Sequence, residues 1–147
     1  MPNIPQRRKL TEALKTLLIT ETGKPVGVAT APLDINGVQE ELPYIVIYPL
    51  DGGGFSGPAW CGPNADAAFE YQIDSYGKRY DQAEWLSDLV RVTVIDRDDS
   101  GELVNQLTYD EHAVMDQESL GPPGKLDEVG QVWSAKESYL ISVTSQT

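Results

Sequence analysis

Several glycines interrupt an aromatic stretch of the sequence, YPLDGGGFSGPAW, at residues 48–60. Residues 52–57 match G-x-G-x-x-G, the loop that holds the pyrophosphate of a dinucleotide. That chemistry requires a helix to begin at once, because the pyrophosphate binds the free N–H groups of a helix N-terminus. Prolines follow instead, and no apolar face at helical spacing appears. We therefore predict no nucleotide site and interpret the stretch as a long surface loop, in which Phe55 and Trp60 need a partner to cover them.

A second stretch has the spacing of a calcium loop. Asp96, Asp98, Ser100 and Gly101 match positions 1, 3, 5 and 6 of an EF-hand loop. Position 12 should be a bidentate glutamate, and here it is Leu107. Because the strongest ligand is absent, we favour an acidic turn after a helix, with Leu107 pointing inward as the chain re-enters the fold.

Cys61 and His112 are the only thiol and the only imidazole in the chain. A nucleophilic pair needs hydrogen-bond reach and an orienting group, and the sequence near them supplies neither. A lone cysteine forms no internal disulfide, and one cysteine with one histidine gives no zinc spacing. No serine lies in a G-x-S-x-G elbow. We expect no catalytic residue, cofactor or metal, and keep a small enzymatic or metal-binding cytoplasmic domain as an alternative.

The chain has 147 residues and a formal net charge of −12, from 11 basic and 23 acidic residues. This length predicts one domain. The charge argues against binding to a nucleic-acid backbone, which requires lysine and arginine opposite the phosphates. It suits a surface past which DNA moves without sticking. No segment looks like a secretory signal or a membrane span, so we expect a protein that is soluble and cytoplasmic when made, without a membrane partner.

Two amphipathic helices are predicted. The first covers residues 3–22, with a possible capping box at Asn3 and Gln6 and a stop at Gly23. The second covers about 81–94, with a D-x-x-E capping box at Asp81 and Glu84. Each has one apolar stripe at helical spacing. The stripe residues are Leu10, Ala13, Leu14, Leu17 and Leu18 in the first helix, and Ala83, Leu86, Leu89, Val90 and Thr93 in the second.

Strands are predicted between and after the helices. A short strand in PVGVATAPL is followed by a hairpin signal at Asn36-Gly37, and residues 44–48 are apolar on both faces, as in a central strand. The stretch ADAAFEYQIDSYG alternates between an apolar face and an acidic face that should lie in water. The apolar face is Ala67, Phe69, Tyr71 and Ile73, and the acidic face is Asp66, Glu70, Gln72 and Asp74.

Towards the C-terminus, YDEHAVMDQ is a weak strand and VWSAKESYLISVTS a final strand. Long loops are expected at about 50–64 and 117–131. The predicted fold class is α+β, with a largely antiparallel or mixed sheet and two amphipathic helices packed on one face.

Two neighbouring segments together carry a family resemblance. LPYIVIYPLDGGGFSGPAW leads from a strand into a glycine-rich loop, and ADAAFEYQIDSYGKRYDQAEWLSDLVR continues with an alternating strand and a helix. This order resembles the tail terminator proteins of long-tailed bacteriophages, particularly those that infect actinobacteria. The resemblance is close over roughly residues 40–92, and the first helix and the chain length also fit.

The resemblance implies a structural, non-enzymatic virion protein that is assembled in the host cytoplasm. Six copies would form a ring at the head-proximal end of the tail tube, stop its growth and offer the surface that joins the head. Its partners would be further copies of itself, the tail tube protein and the head-tail connector or neck proteins, with DNA passing through the lumen without sequence-specific binding. The alternative within the virion is a head-side neck or head-completion connector.

A ring requires that one patch of each copy meet a different patch on the next copy. The candidate interface residues are Arg7, Arg8, Gly53, Phe55, Trp60, Arg79 and Asp127. The glycines would let the loop bend as a contact arm, and Phe55 and Trp60 would anchor it in a neighbour. The alternative for Trp60 is that it folds back onto its own sheet. The basic cluster at Arg7 and Arg8 and the acidic residues near Asp127 could form charge-complementary contacts between copies.

Overall fold

In a computed structural model of the chain, the residues that the structure describes are 5–56, 66–109, 112–121, 124 and 126–145. They contain two helices and seven strands, and the α+β fold class is confirmed. The elements in chain order are α1 (Arg7–Thr22), β1 (Val26–Val28), β2 (Tyr44–Ser56), β3 (Asp66–Gly77), α2 (Tyr80–Ile95), β4 (Thr108–Tyr109), β5 (His112–Ser119), β6 (Leu126–Val129) and β7 (Val132–Ser145).

The strands form one mixed sheet in the order β1-β2-β3-β7-β5-β4. Only β1 and β2 are parallel, and the other pairs are antiparallel. Strand β6 pairs with the first residues of β7, on the same edge that β5 occupies further along. The predicted central position of residues 44–48 is confirmed, because β2 has β1 on one side and β3 on the other.

Alternate side chains of the sheet meet both helices in one core. Helix α2 contacts β3, β7 and β5, and α1 contacts α2 and the two edge strands, β1 and β4. The predicted apolar stripes are confirmed, with Ala13, Leu17 and Leu89 at the margin of the core. The predicted inward face of β3 is also confirmed. The core includes Leu10, Leu14, Leu18, Ile45, Ile47, Phe69, Tyr71, Ile73, Leu86, Val90, Tyr139, Ile141 and Val143.

The predicted C-terminus of α1 is correct and α2 matches its predicted bounds to within one residue at each end, but both N-caps differ from those predicted. Gly23 ends α1 in the left-handed region at φ +69°, as expected of a C-terminal glycine. The N-caps are Gln6 and Arg79, and neither makes a side-chain capping hydrogen bond. Asp81 lies inside the first turn of α2, where its carboxylate accepts hydrogen bonds from Gln82 N–H and from Arg79 Nε. Asn3 lies outside the described residues.

Much of the two predicted long loops is strand. Residues 50–56 continue β2, with Gly53–Ser56 paired to β3, while β5 extends to Ser119 and Leu126–Val129 forms β6 against β7. The physical reason is that neighbouring strands continue past the apolar segments and offer backbone partners there. Residues 57–65 lie outside the described residues. The predicted hairpin at Asn36-Gly37 is a tight turn closed by a single Leu33–Gln39 bridge, not a pair of strands.

One buried ion pair connects α2 to the sheet. Arg91 Nε donates to both carboxylate oxygens of Glu137 at 2.9 Å, and Glu137 is only 5% exposed. Ser119 Oγ and Tyr139 OH donate to the same carboxylate at 3.0 Å. The ion pair raises the pKa of Arg91 further above its usual range. The protein itself supplies nearly all of the hydrogen bonds of the buried carboxylate. The ion pair therefore stabilises the packing of α2 over β7.

We expect Glu137→Ala to lower the free energy of unfolding by about 3 kcal/mol, because it leaves the Arg91 guanidinium with only the exposed Asp88 as a partner. This value is at the low end of the free-energy cost of breaking a buried ion pair, because the Arg91 side chain is 26% exposed. The matched control is Arg79→Ala, which removes a pair whose side chains are 74% and 58% exposed and should cost less than about 1 kcal/mol. Urea unfolding measures both changes, and equal losses would contradict this role of the Arg91–Glu137 pair.

Candidate functional site

The glycine-rich segment is an extension of β2 beyond the end of its neighbour β1. After Pro49 the register shifts, and Gly53, Gly54 and Phe55 then pair with Phe69, Ala68 and Ala67 of β3. Strand β1 pairs only with residues 45–47, so among the described residues this extension has no strand on its other side. We call residues 50–56 the glycine edge. It presents backbone N–H and C=O groups to whatever approaches it.

Close contacts require a glycine at position 53 of the edge, but not at positions 52 and 54. A Cβ at Gly52 would overlap the carboxylate of Glu70, which is a flexible neighbour. A Cβ at Gly53 would overlap the backbone carbonyl of Ala68, and Gly53 also has φ +87°. At Gly54 a Cβ would meet nothing within 4 Å. Gly53 therefore lets two backbones come together at a bulge, which differs from the flexible arm that the sequence predicts.

We expect Gly53→Ala to lower the free energy of unfolding by about 1–3 kcal/mol, because it adds a Cβ at a left-handed φ and against the Ala68 backbone. Gly54→Ala is the matched control at the next residue and should change stability by less than about 1 kcal/mol. Thermal or urea unfolding of the two variants checks this, and an equal effect at both positions would contradict the bulge.

Three of the predicted interface residues meet at the glycine edge. Arg7, Gly53 and Phe55 line one depression of about 210 Å³. Arg7 Nη1 donates to the carbonyl of Leu50 at 3.0 Å, which ties the start of α1 to the edge. Phe55 packs edge-on against Phe69, with 5.6 Å between ring centroids, yet it is 62% exposed. The edge therefore holds an aromatic ring that its own chain leaves mostly uncovered.

A basic groove adjoins this depression. Arg7, Arg8 and Lys15 of α1 line it together with Pro49 and Val28, and its volume is about 580 Å³. Arg8 forms only a long, exposed contact of 3.9 Å with Glu12. The positive charge of these side chains would attract an acidic segment of another molecule.

Two other predicted interface residues, Arg79 and Asp127, lie at the far end of the sheet. Arg79 begins α2 just after Gly77, and Asp127 is exposed on β6 opposite Ser134. Both positions adjoin the end of β3 that pairs with Trp133, whereas the glycine edge adjoins the end that pairs with Thr144. The structure therefore separates the predicted residues into two groups. Trp60 and Cys61 lie outside the described residues, as does the side chain of His112.

The predicted acidic turn is confirmed. Asp98 Oδ1 accepts hydrogen bonds from Ser100 N, Ser100 Oγ and Glu102 N at 2.6–3.1 Å. The Ser100 hydroxyl is the main cause that lowers the pKa of Asp98. Leu107 is buried as predicted, at 3% exposure. In the part of the chain that the structure describes, no three His, Cys, Asp or Glu side chains lie together as metal ligands.

Asp74 corrects the predicted acidic face of β3. It is 2% exposed rather than in water, and it lies on the face opposite the helices. Gln72 Nε2 donates to it at 2.9 Å and Tyr76 OH at 3.2 Å, while the Tyr76 ring packs on Tyr44. Burial is the main cause that raises the pKa of Asp74. Neighbouring tyrosines thus cover a carboxylate that a simple alternation of strand faces assigns to solvent.

The pKa of Asp74 predicts a pH dependence. Its folded-state pKa lies above the unfolded value of about 3.9, so its stabilising contribution is present below that pH and lost as pH rises through the folded pKa. Asp74→Asn should therefore gain stability relative to the unmodified chain as pH rises from about 3 to 7. Urea unfolding across this range measures the difference, and parallel curves would contradict it.

The connector between β1 and β2 carries a group of exposed apolar residues that was not predicted from the sequence. Leu33, Ile35 and Val38 are 60%, 100% and 61% exposed. The hairpin motif could have predicted this exposure, because apolar side chains at the tip of a tight turn have no sheet face to pack against.

Comparisons with known proteins give a structural match. No family model matches the chain, and no curated protein matches it. Among solved structures, 26 chains match its fold. One is a chain from "Virion of native gene transfer agent (GTA) particle", with a TM-score of 0.65 and 13% sequence identity over 95% of this chain and 97% of that chain. At that identity the match shows a shared fold. No helix in the described residues is long and apolar enough to cross a membrane.

Proposed function

We propose that this chain is a structural virion protein of a tailed phage or phage-like particle. Six copies form a ring at the head-proximal end of the tail tube, stop tube polymerisation and provide the surface to which the head joins. DNA passes through the ring without sequence-specific binding. No catalytic step, cofactor or metal is part of this proposal.

The observation that carries the proposal is the fold shared with a gene transfer agent virion chain over nearly the whole length of both chains. A match that covers 95% of this chain leaves little of it for a separate function. The resemblance of residues 40–92 to tail terminators supports the finer assignment, because those residues form β2, β3 and most of α2.

The surface supports assembly into a ring. The glycine edge is an open sheet edge, and open edges readily pair with another chain. Phe55 supplies an exposed aromatic anchor beside it, and Arg7 lies at its start. Arg79 and Asp127 occupy the far end of the sheet, so one copy offers two different patches, as a head-to-tail ring requires.

We expect the double variant Phe55→Ala and Trp60→Ala to fold normally and to form rings at least tenfold less efficiently, because an interface loses most when its aromatic anchors are removed. Val92→Ala is the control, since Val92 is 55% exposed on α2 and belongs to neither of the two proposed patches. Sedimentation velocity and electron microscopy of the assembled rings measure the effect. Equally strong rings from the double variant would remove Phe55 and Trp60 from the interface.

The experiment that tests the function is electron microscopy of particles made when the gene carries an early stop codon. Overlong tails without heads are expected, because nothing then stops tube growth. Supplying the intact chain in trans should restore the normal tail length. Tails of normal length would contradict termination, and normal tails left without heads would favour the head-side neck protein.

A further inference from the structure

The basic groove beside α1 carries positive charge that its own chain does not neutralise. Three basic residues, Arg7, Arg8 and Lys15, line it against one acidic residue, Glu12, which leaves a net charge of +2. Arg8 is 75% exposed and lies 3.9 Å from the Glu12 carboxylate, too far for a hydrogen bond. Among the described residues, Lys15 has no ion-pair partner.

Arginines elsewhere in the chain are neutralised internally. Arg79 pairs with Asp81, Arg91 with Glu137 and Asp88, and Arg97 with Asp116. In a chain of net charge −12, the basic groove therefore stands out as a positive surface. A surface of that kind attracts an acidic partner.

The β6–β7 hairpin carries the opposite charge. Residues 126–132 contain Asp127 and Glu128 and no lysine or arginine, so their net charge is −2. Both carboxylates are exposed, and neither has an ion-pair partner among the described residues. Val129 follows them and is 80% exposed. We call residues 126–132 the acidic hairpin.

The acidic hairpin is a preformed projection. Val129 pairs with Val132 across a two-residue turn, in which Gly130 takes φ +64°. Strand β6 pairs with β7 alone among the described residues, so its other side is open. Because the paired strands already fix the backbone, a partner would bind the hairpin with little loss of conformational entropy.

The hairpin and the basic groove match in chemistry as well as in charge. Side chains alternate along a strand, so Asp127 and Val129 lie on one face of β6, an acid beside an apolar group. The groove offers the complement, since Val28 and Pro49 line it beside the three basic side chains. A nucleic-acid backbone fits less well, because it has no apolar group for Val28 and Pro49 and its phosphates would meet Glu12.

Other acidic turns of the chain are less suited to the groove. Asp98 Oδ1 already accepts three hydrogen bonds from Ser100 and Glu102. Asp34 Oδ1 likewise accepts two hydrogen bonds from the backbone of its own turn. These carboxylates stabilise their own turns, whereas Asp127 and Glu128 have no such role among the described residues.

The positions of the two surfaces fit a head-to-tail contact. The groove lies on the side of the sheet formed by β1 and β2, and the acidic hairpin lies beyond β7. Strands β3 and β7 separate them, and they share no residue. One copy therefore cannot close this contact on itself, but successive copies around a ring can.

We infer that the acidic hairpin of one copy docks in the basic groove of the next copy, with Asp127 against Arg8 and Lys15 and Val129 against Val28 and Pro49. The partner is a second copy of this chain. This inference rests on the proposed function and names the segment that each copy offers to its neighbour.

A charge exchange tests the contact. Asp127→Arg and Arg8→Asp should each form rings about tenfold less efficiently, because like charges then face each other. Combining them should restore ring formation to within about twofold, because the ion pair forms again with its signs reversed. Asp99→Arg is the matched control, since Asp99 is an exposed acid in the turn after α2 and the charge change is the same.

Sedimentation velocity and electron microscopy measure the rings, and urea unfolding of each variant checks the fold. Arg8 lies in the first turn of α1, where an acidic residue is favourable, so Arg8→Asp should not destabilise the monomer. Normal rings from both single variants, or a double variant no better than either one, would overturn the inference.

Cross-linking in assembled particles gives an independent readout. In a Cys61→Ser background, Val129→Cys with Lys15→Cys and a short bismaleimide should give a ladder of covalent oligomers, because every copy links to both neighbours. Each cysteine alone should stay monomeric on denaturing gels. Dimers from Val129→Cys alone, or rings of the double variant without a ladder, would contradict the docking.

Other occupants of the groove give different results. If Asp127→Arg forms normal rings that no longer bind the tube, the hairpin contacts the tube protein and the inference is wrong. If Arg8→Asp forms normal rings whose particles lose DNA, the groove contacts nucleic acid and the inference is again wrong. Absence of the unmodified chain from particles would refute the proposed function together with this contact, whereas the other results refute the contact alone.

Discussion

The unbroken antiparallel register between β3 and β7 is the constraint on which the rest of the structure depends. All residues of Asp66–Gly77 have a partner on β7, from Thr144 to Trp133. Side chains alternate along each strand, so a slip of one residue would turn Phe69, Tyr71 and their partners away from the helices. The Arg91–Glu137 ion pair can form only in this register, because Glu137 must lie on the helix-facing side of β7 to reach α2.

The same register explains the glycine-rich segment. Strand β3 begins at Asp66 and so extends past the point at which β1 stops covering β2. The second half of β2 runs alongside β3 past the end of β1. Its backbone can lie this close to the Ala68 carbonyl only because residue 53 is a glycine. What looks like a nucleotide loop is therefore a strand that, among the described residues, has no strand on one of its two sides. Such an edge is suited to assembly rather than to binding a small molecule.

Periodic features were predictable from the sequence, and features that depend on neighbours were not. The stripe of Leu10, Leu14 and Leu18 and the final strand follow from apolar spacing alone, because burial of one face dictates the pattern. The strand at the glycine edge was missed, since its residues have low strand propensity and are held by β3. Asp74 was assigned to water because alternation takes no account of Tyr76, two residues along the same strand, whose hydroxyl donates to the carboxylate.

For the candidate surfaces, the residue types were predictable and their grouping was not. Phe55 and Arg7 attract attention as an aromatic in a glycine stretch and a base at a helix start. Only the fold shows that they meet at one depression, or that Arg79 and Asp127 lie at the far end. The Asn36-Gly37 pair predicted a turn in the connector between β1 and β2. The exposure of Ile35 could not be predicted, because it depends on how the connector returns to β2.

The central claim is that this chain is a ring-forming component of a virion, and image reconstruction of purified particles by cryo-electron microscopy tests it most directly. We expect a ring of copies between tail tube and head, with the glycine edge of each copy against its neighbour. Particles that contain no copy of the chain, or that contain it as isolated copies without contacts between them, would contradict this claim.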